Sequence, residues 1–191
     1  MRPSQTSLEN LTIGDLTSNG RGGKSASLQV KSLPLRVILR NCTTPFQVSS
    51  FDHSSDRKSL DVRADAECIQ FVERLDSELK KRANKLGCAE AGYTSLLKQQ
   101  KEGYAPLFRQ KITISPTGKS PCKFFDGSRR RMTDEEVAEL PWRDLEMDVL
   151  CKISNVWVNS GRWGATATPD AIMVRRCDAC PFADDPPDCL D

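Results

Sequence analysis

Hydrophobic positions along this chain switch between two periods, and the switches predict its elements. Leu28-Gln29-Val30-Lys31 alternates apolar and polar residues, and Leu35, Val37 and Leu39 share one face of the next segment. Phe46-Gln47-Val48, after the turn at Thr44-Pro45, and Leu60-Asp61-Val62-Arg63 continue the period of two that marks strands. The spacing then changes. Cys68, Ile69, Val72, Leu75, Leu79 and Leu86 recur at helical intervals, which predicts one long helix over about 66–86. Asp65 is suited to cap its start, Lys80, Lys81, Arg82 and Lys85 suit the negative end of its dipole, and Gly87 ends it. A second, shorter helix is expected over Ser95–Lys101.

From Tyr104 onward the pattern is again that of strands: Leu107 to Ile114, then Cys122 to Phe125. Thr133-Asp134-Glu135-Glu136 has the form of a capping box for a short helix that Pro141 closes. Met147–Val158 and Trp163–Val174 flank Asn159-Ser160-Gly161-Arg162, a good hairpin connection. Strands, a long helix and a further run of strands predict a β-rich α+β fold with an antiparallel sheet, and exclude a parallel βαβ arrangement.

Charge adds a division that the total hides. The formal net charge is +2, but no Lys or Arg follows Arg176 while five aspartates do, so setting those five aside leaves +7 on residues 1–177. The expected organisation is a flexible N-terminal arm (1–26), rich in Ser, Thr, Asn and Gly, a basic domain (27–176), and an acidic, Cys-containing tail (177–191). No stretch approaches the ~20 apolar residues of a membrane span, and no apolar h-region follows Met1-Arg2-Pro3. Cys42, Cys68, Cys88, Cys122 and Cys151 stand singly in apolar surroundings and read as buried free thiols. The expected setting is therefore intracellular, a reducing nucleus or cytoplasm.

Catalytic chemistry finds little material. Gly20-Arg21-Gly22-Gly23-Lys24-Ser25 resembles the end of a phosphate-binding loop, but Ser18 occupies the position where the first Gly is required. The single histidine, His53, lies among Ser and Asp without a local nucleophile. No enzyme activity and no cofactor are expected. Cys177, Cys180 and Cys189 supply three thiols of a tetrahedral zinc site, which would need a fourth ligand such as Cys151; an incidental Cys-rich tail is the reading preferred to zinc or a redox pair.

Positive charge and aromatic rings coincide in the second half of the chain. Arg109 and Lys111 fall on one strand face, Lys123 adjoins Phe124, Arg129, Arg130 and Arg131 form a run, and Trp157, Arg162 and Trp163 flank the hairpin turn. Aromatic faces stack on bases while Arg and Lys follow phosphates, so these residues are candidates for binding single-stranded nucleic acid. The competing readings are a protein-interaction or structural module, whose aromatics are core, and a zinc-stabilised transcription accessory factor. Asp184, Asp185, Asp188 and Asp191 are tethered phosphate mimics that would compete for a basic face and, once displaced, be offered to a partner.

The order of segments carries a resemblance. Leu35–Asp52 with its Thr44-Pro45-Phe46 turn, the helix with Phe71-Val72-Glu73-Arg74-Leu75, Tyr104-Ala105-Pro106-Leu107 leading into Lys111-Ile112, and Val156-Trp157-Val158 before Gly161-Arg162-Trp163-Gly164 resemble the single-stranded-DNA-binding-like proteins of large eukaryotic DNA viruses, distant relatives of T7-type phage single-strand-binding proteins. The resemblance implies an OB-like antiparallel barrel or curved sheet over residues 27–176. It also implies sequence-tolerant binding of single-stranded DNA, with RNA left open, in replication, recombination or repair. Replication proteins docking on the acidic tail and a homodimer are further partners it leaves open. The departures are the tail, which lacks a terminal aromatic residue, and the Arg129–Arg131 insertion.

Overall fold

The structure, a computed structural model, describes residues 2–18, 22–49, 56–114 and 120–176. Its scaffold is a curled, eight-stranded half-barrel sheet with a three-stranded sheet set against it, an OB-like α+β fold. In chain order the strands are β1 (Leu11–Ile13), β2 (Thr17–Ser18), β3 (Lys24–Val30), β4 (Leu33–Thr43) and β5 (Arg57–Arg63). After helix α1 (Ala66–Lys80) come β6 (Tyr93–Thr94), β7 (Leu97–Lys98), β8 (Leu107–Thr113) and β9 (Lys123–Phe125), then helix α2 (Asp134–Ala138), β10 (Glu146–Asn159) and β11 (Arg162–Arg176). The large sheet runs β1-β3-β4-β10-β11-β6, with β2 on β3 and β9 on β11, and the small one runs β5-β8-β7.

The long antiparallel pair β10–β11 is the spine of the large sheet. Its ladder shifts register between Glu146 and Met147, between Leu150 and Cys151, and between Ile153 and Asn155. Such irregularities bend a strand and increase its twist. The bent β10 can therefore pair with β4 over Glu146–Ile153 and with β3 over Asn155–Val158, which curls the sheet. Ser160 and Gly161 turn the hairpin with φ of 48° and 76°, the left-handed conformation that tight two-residue hairpin loops require. At the other end, Asp148 is almost fully buried. Burial alone would push its carboxyl up, but hydrogen bonds from Arg175, the Asn41 N–H and Arg40 outweigh burial and hold it below the usual carboxylate range.

The helix forms as its pattern predicts, though the regular α-helix stops at Lys80 and Ala83–Leu86 is a 3-10 turn ended by Gly87 at φ 62°. The Asp65 side chain accepts from the Cys68 N–H at 2.7 Å, and Cys68, Phe71, Val72, Leu75 and Leu79 face the core. Thr133 and Glu136 make the expected capping box at α2. Cys42, Cys68, Cys122 and Cys151 are buried free thiols and Cys88 a half-buried one; burial pushes the first three up to about 12.

Three expectations are corrected. Residues 2–18 are not a flexible arm: Pro3, Thr6, Leu8, Leu11 and Ile13 are buried, and Leu11–Ile13 pairs with Leu28–Val30. Leu11 and Ile13 form a period-two apolar pair that the polar composition around them hides. Ser95–Lys101 is not a helix, because Leu97–Lys98 joins the edge of β8. Phe46–Val48 is a loop rather than a strand, with Ser49 bridging to Ser59 beyond it. His53, the Gly20–Arg21 part of the loop motif, and the whole tail with Cys177, Cys180, Cys189 and its aspartates lie outside the described residues.

Candidate nucleic-acid interface

The small sheet collects charge on its outer face. In its ladder Arg57 lies opposite Thr113, Ser59 opposite Lys111, Asp61 opposite Arg109, and Arg63 opposite Leu107, which also faces Lys98 of β7. Residues opposite one another across antiparallel strands point to the same side. Register thus aligns Arg57, Arg63, Lys98, Arg109 and Lys111 on one face, while Leu60, Val62, Phe108 and Ile112 fill the core beneath. The carboxylate of Asp61 sits among these cations. It accepts from Arg109 Nε at 2.9 Å and Nη2 at 3.1 Å, and Lys98 Nζ is 3.6 Å away. The Asp61 bond pushes the Arg109 guanidinium pKa up. Lys111 donates to Ser59 Oγ at 2.8 Å, and partial burial, reinforced by Arg109 and Arg57, pulls its ammonium pKa below the ordinary lysine value.

Where this face meets the tip of the β10–β11 hairpin there is a groove of about 400 Å³, with Arg109, Lys111, Trp157, Arg162, Thr94 and Ser95 among its lining residues. Hairpin register explains why. Trp157 lies opposite Gly164 and Asn159 opposite Arg162, so Trp157 and Arg162 share a side. Trp157 is half-buried, with its indole N–H donating to the Ala165 carbonyl at 3.2 Å. A Cβ at Gly164 would stand 2.4 Å from the Thr94 carbonyl oxygen and 3.5 Å from Trp157 Cζ2. Glycine at 164 therefore lets β6 close on β11 beneath the indole.

Four of the expected site residues, Arg109, Lys111, Trp157 and Arg162, are thus brought together, and the others are not. Trp163 is fully buried, packed edge-on against Tyr93 with ring centroids 4.7 Å apart, its N–H donating to the Ala89 carbonyl. Phe124 is buried against Trp142 at 6.0 Å. Neither ring is open to a base. The cause is strand alternation: Phe124 and Trp163 each follow an exposed cation, Lys123 and Arg162, and consecutive strand residues face opposite sides. Lys123 is exposed on β9, opposite Ala171, and does not line the groove.

The arginine run lies apart from the groove. Arg130 is held between Asp126 at 2.9 Å and Glu136 at 2.8 Å, which fixes its loop, while Arg129, with φ 68°, and Arg131 are exposed away from the groove lining. Among the described residues no group of three or more His, Cys, Asp or Glu is placed to hold a metal ion. Cys151, weighed as a fourth zinc ligand, is fully buried, and burial pushes its thiol pKa far up, a setting opposed to the thiolate that zinc requires.

No protein-family model matches the chain, and no curated protein does. Solved structures do match. The single-stranded DNA-binding protein from bacteriophage Enc34 with its C-terminus truncated superposes with a TM-score of 0.52 at 10% identity, over 89% of this chain and 97% of that one. The same phage protein in complex with ssDNA gives 0.52 at 12% identity, over 88% and 96%. The single-stranded DNA binding protein encoded by bacteriophage T7 gives 0.52 at 13%, over 81% and 96%. This chain has their fold. The T7-type side of the expected resemblance is supported at that level; the kinship with large eukaryotic DNA viruses gains no support from these phage structures.

Sequence reading missed several residues. Arg63 and Lys98 join the cationic face through the register of β5 and β7, and only the period of two at Leu60–Arg63 pointed to the first. Phe46 and Tyr104, 53% and 74% exposed, are the most open aromatic rings among the described residues; the alternation at Phe46–Val48 points to a strand where the chain forms a loop, and Tyr104 stands in the connection ahead of β8.

Proposed function

We propose that this protein binds single-stranded DNA without catalysis and without strong sequence preference. One observation carries the reading: register aligns Arg57, Arg63, Lys98, Arg109 and Lys111 on one sheet face, with Asp61 paired to Arg109 among them, and that face ends at a groove lined by Trp157 and Arg162. Lys and Arg lining a groove follow a phosphate backbone, and an aromatic face accepts any base. The phage proteins that share the fold bind single-stranded DNA by name, and one was solved with it, which supports the same reading here. In this proposal Arg109, Lys111 and Arg162 contact phosphates and Trp157 stacks a base. The tail aspartates Asp184, Asp185, Asp188 and Asp191 compete for that face and, when displaced, meet a replication, recombination or repair partner.

Titration of fluorescent oligo-dT against the protein over a range of salt tests the reading. Affinity should fall steeply with salt, and the Arg109→Ala/Lys111→Ala double variant should flatten the log–log slope by about 1.4, at ~0.7 per phosphate contact on a single strand. A wild-type protein that fails to bind at low salt would end the proposal.

A further inference from the structure

The second exposed aromatic cluster lies at the opposite end of the same sheet face. A cavity of about 610 Å³ is lined by Phe46, Tyr104, Arg63, Lys101, Arg143 and Asp144, among others. Phe46 comes from the loop after Pro45, and Tyr104 from the β7–β8 connection, just after Gly103 turns the chain at φ 86°. Neither ring is paired with another aromatic residue among the described residues. A single open ring on a surface needs no explanation, but two that line one cavity rimmed by charged residues form the kind of exposed apolar feature that marks an interaction site. The charge around them indicates for what: three cations face one carboxylate, and Asp144 is itself drawn to Arg143 at 3.4 Å.

Continuity gives the occupant. Arg63 and Leu107 line this cavity, while Arg109 and Lys111 line the groove beside Trp157, and all four sit on the outer face of β5 and β8. Leu107 and Lys111 are four residues apart along β8, or about 13 Å at ~3.3 Å per residue. Arg109 lies at the middle of that interval with Asp61 opposite it, and Arg63 and Lys98 flank Leu107 at its far end, so with Lys111 four cations and one carboxylate line the way between the two aromatic sites. A protein partner would meet the exposed rings equally well, but the excess of Arg and Lys along this way, four cations to one carboxylate, matches a chain with regularly repeating negative charge.

We propose that the Phe46–Tyr104 cavity is a second base-stacking station for single-stranded DNA, filled by a strand that has already crossed the Arg109–Lys111 face. This rests on the binding function proposed above. The strand's phosphates pass from Lys111 and Arg109 to Lys98 and Arg63, and a base enters between Phe46 and Tyr104, with Lys101 and Arg143 at its rim.

The two stations make a length-dependent prediction. Oligo-dT of about four and about sixteen residues, the limits of what one OB fold occupies, is titrated against wild-type protein, Phe46→Ala/Tyr104→Ala and Phe46→Leu/Tyr104→Phe, with circular dichroism confirming that each is folded. The short oligonucleotide should bind the alanine double variant as it binds wild type, while the long one should lose about fivefold or more. The Phe-retaining change at 104 should recover part of that loss, because Phe keeps the stacking face. In a separate Phe46→Trp variant, the added fluorescence should be quenched by the long oligonucleotide and not by the short one. Unchanged affinity of the alanine variant for the long oligonucleotide overturns the proposal and leaves the cavity to a protein partner. Equal losses at both lengths also overturn it, since the cavity would then belong to the first binding step. If wild type binds neither length, the underlying function fails and this station with it.

Discussion

Two regions where arginines and aromatic rings come together have opposite consequences. Around residues 122–142, Phe124 packs into the core against Trp142, and Arg130 is spent on Asp126 and Glu136. On the outer face of β5–β8–β7, Arg109, Lys98 and Lys111 gather around Asp61, with Trp157 half-open at the groove. The first region is the richer by local sequence, with three consecutive arginines beside two phenylalanines. The second is assembled from four strands, β5, β7, β8 and β10, and is the one with an open cationic surface. Density of charge along a chain says little about field in space. Local carboxylates pair with Arg130 at the centre of the arginine run, whereas strand register concentrates cations that are far apart in sequence.

The sharpest way to break this contrast is to exchange the roles it assigns to rings. Phe124→Ala should destabilise the fold by ~3–5 kcal/mol, the usual range for deleting a buried phenylalanine ring, as measured by urea unfolding. The folded fraction should bind oligo-dT as wild type does. If affinity fell while stability held, Phe124 would be a binding residue and the division between the two regions would be wrong.

A second effect concerns Lys111. Its ammonium pKa is depressed chiefly by burial, and by Arg109 and Arg57. A bound phosphate favours the protonated form, so binding takes up a proton wherever the free protein has lost it. Affinity should therefore be flat at neutral pH and fall as pH rises through the depressed pKa, before an ordinary lysine would titrate. The loss should approach the ~1.5–3 kcal/mol of one charge-assisted hydrogen bond. Lys111→Arg should extend the flat region to higher pH in the same titration. A wild-type profile with no earlier fall than this variant would remove Lys111 from the interface.

Much of this architecture was legible in the chain. Asp65 and Gly87 bracket the helical region, Thr133 and Glu136 form a capping box, and Asn159–Arg162 turns a hairpin, because each signal acts over four residues or fewer. The site was half legible for the same reason. Arg109 and Lys111 are two apart and must share a face, but Trp163 adjoins Arg162, and Phe124 adjoins Lys123, and adjacent strand residues cannot face the same way. The association of Arg109 with Asp61, or of Trp157 with Lys111, depends on long-range register and on the bends of β10, which no local pattern encodes. The burial of Leu11 and Ile13 was hidden likewise, since their partner strand begins more than ten residues later.

Asp61 gives a smaller and more discriminating effect. Its carboxylate occupies the guanidinium edge of Arg109 that a phosphate would use. Asp61→Asn should release Arg109 and Lys98 and raise oligo-dT affinity at low salt by up to about fivefold, the scale of a partly exposed ion pair. The gain should shrink as salt screens the face. A loss of affinity would mean that Asp61 serves to orient Arg109 rather than to compete for it.

Arg130→Ala should produce the smallest effect, and the comparison depends on its being small. Removing the side chain breaks exposed ion pairs to Asp126 and Glu136, each worth about 1 kcal/mol or less. The Asp126 carboxylate keeps its bonds from Ser128 and from the backbone N–H of residue 130, and Thr133 keeps its cap from Glu136, so the loop retains its shape. Two carboxylates are then left uncompensated near Arg129 and Arg131, which weakens whatever positive field the run projects. If the run were the electrostatic reach of the binding site, that change alone should lower oligo-dT affinity at low salt severalfold and reduce its salt slope. If the sheet face carries the binding, both quantities should match wild type within error, and only the unfolding midpoint should move slightly. The same titration series that reads Asp61→Asn therefore decides whether three arginines in a row outweigh three cations in register.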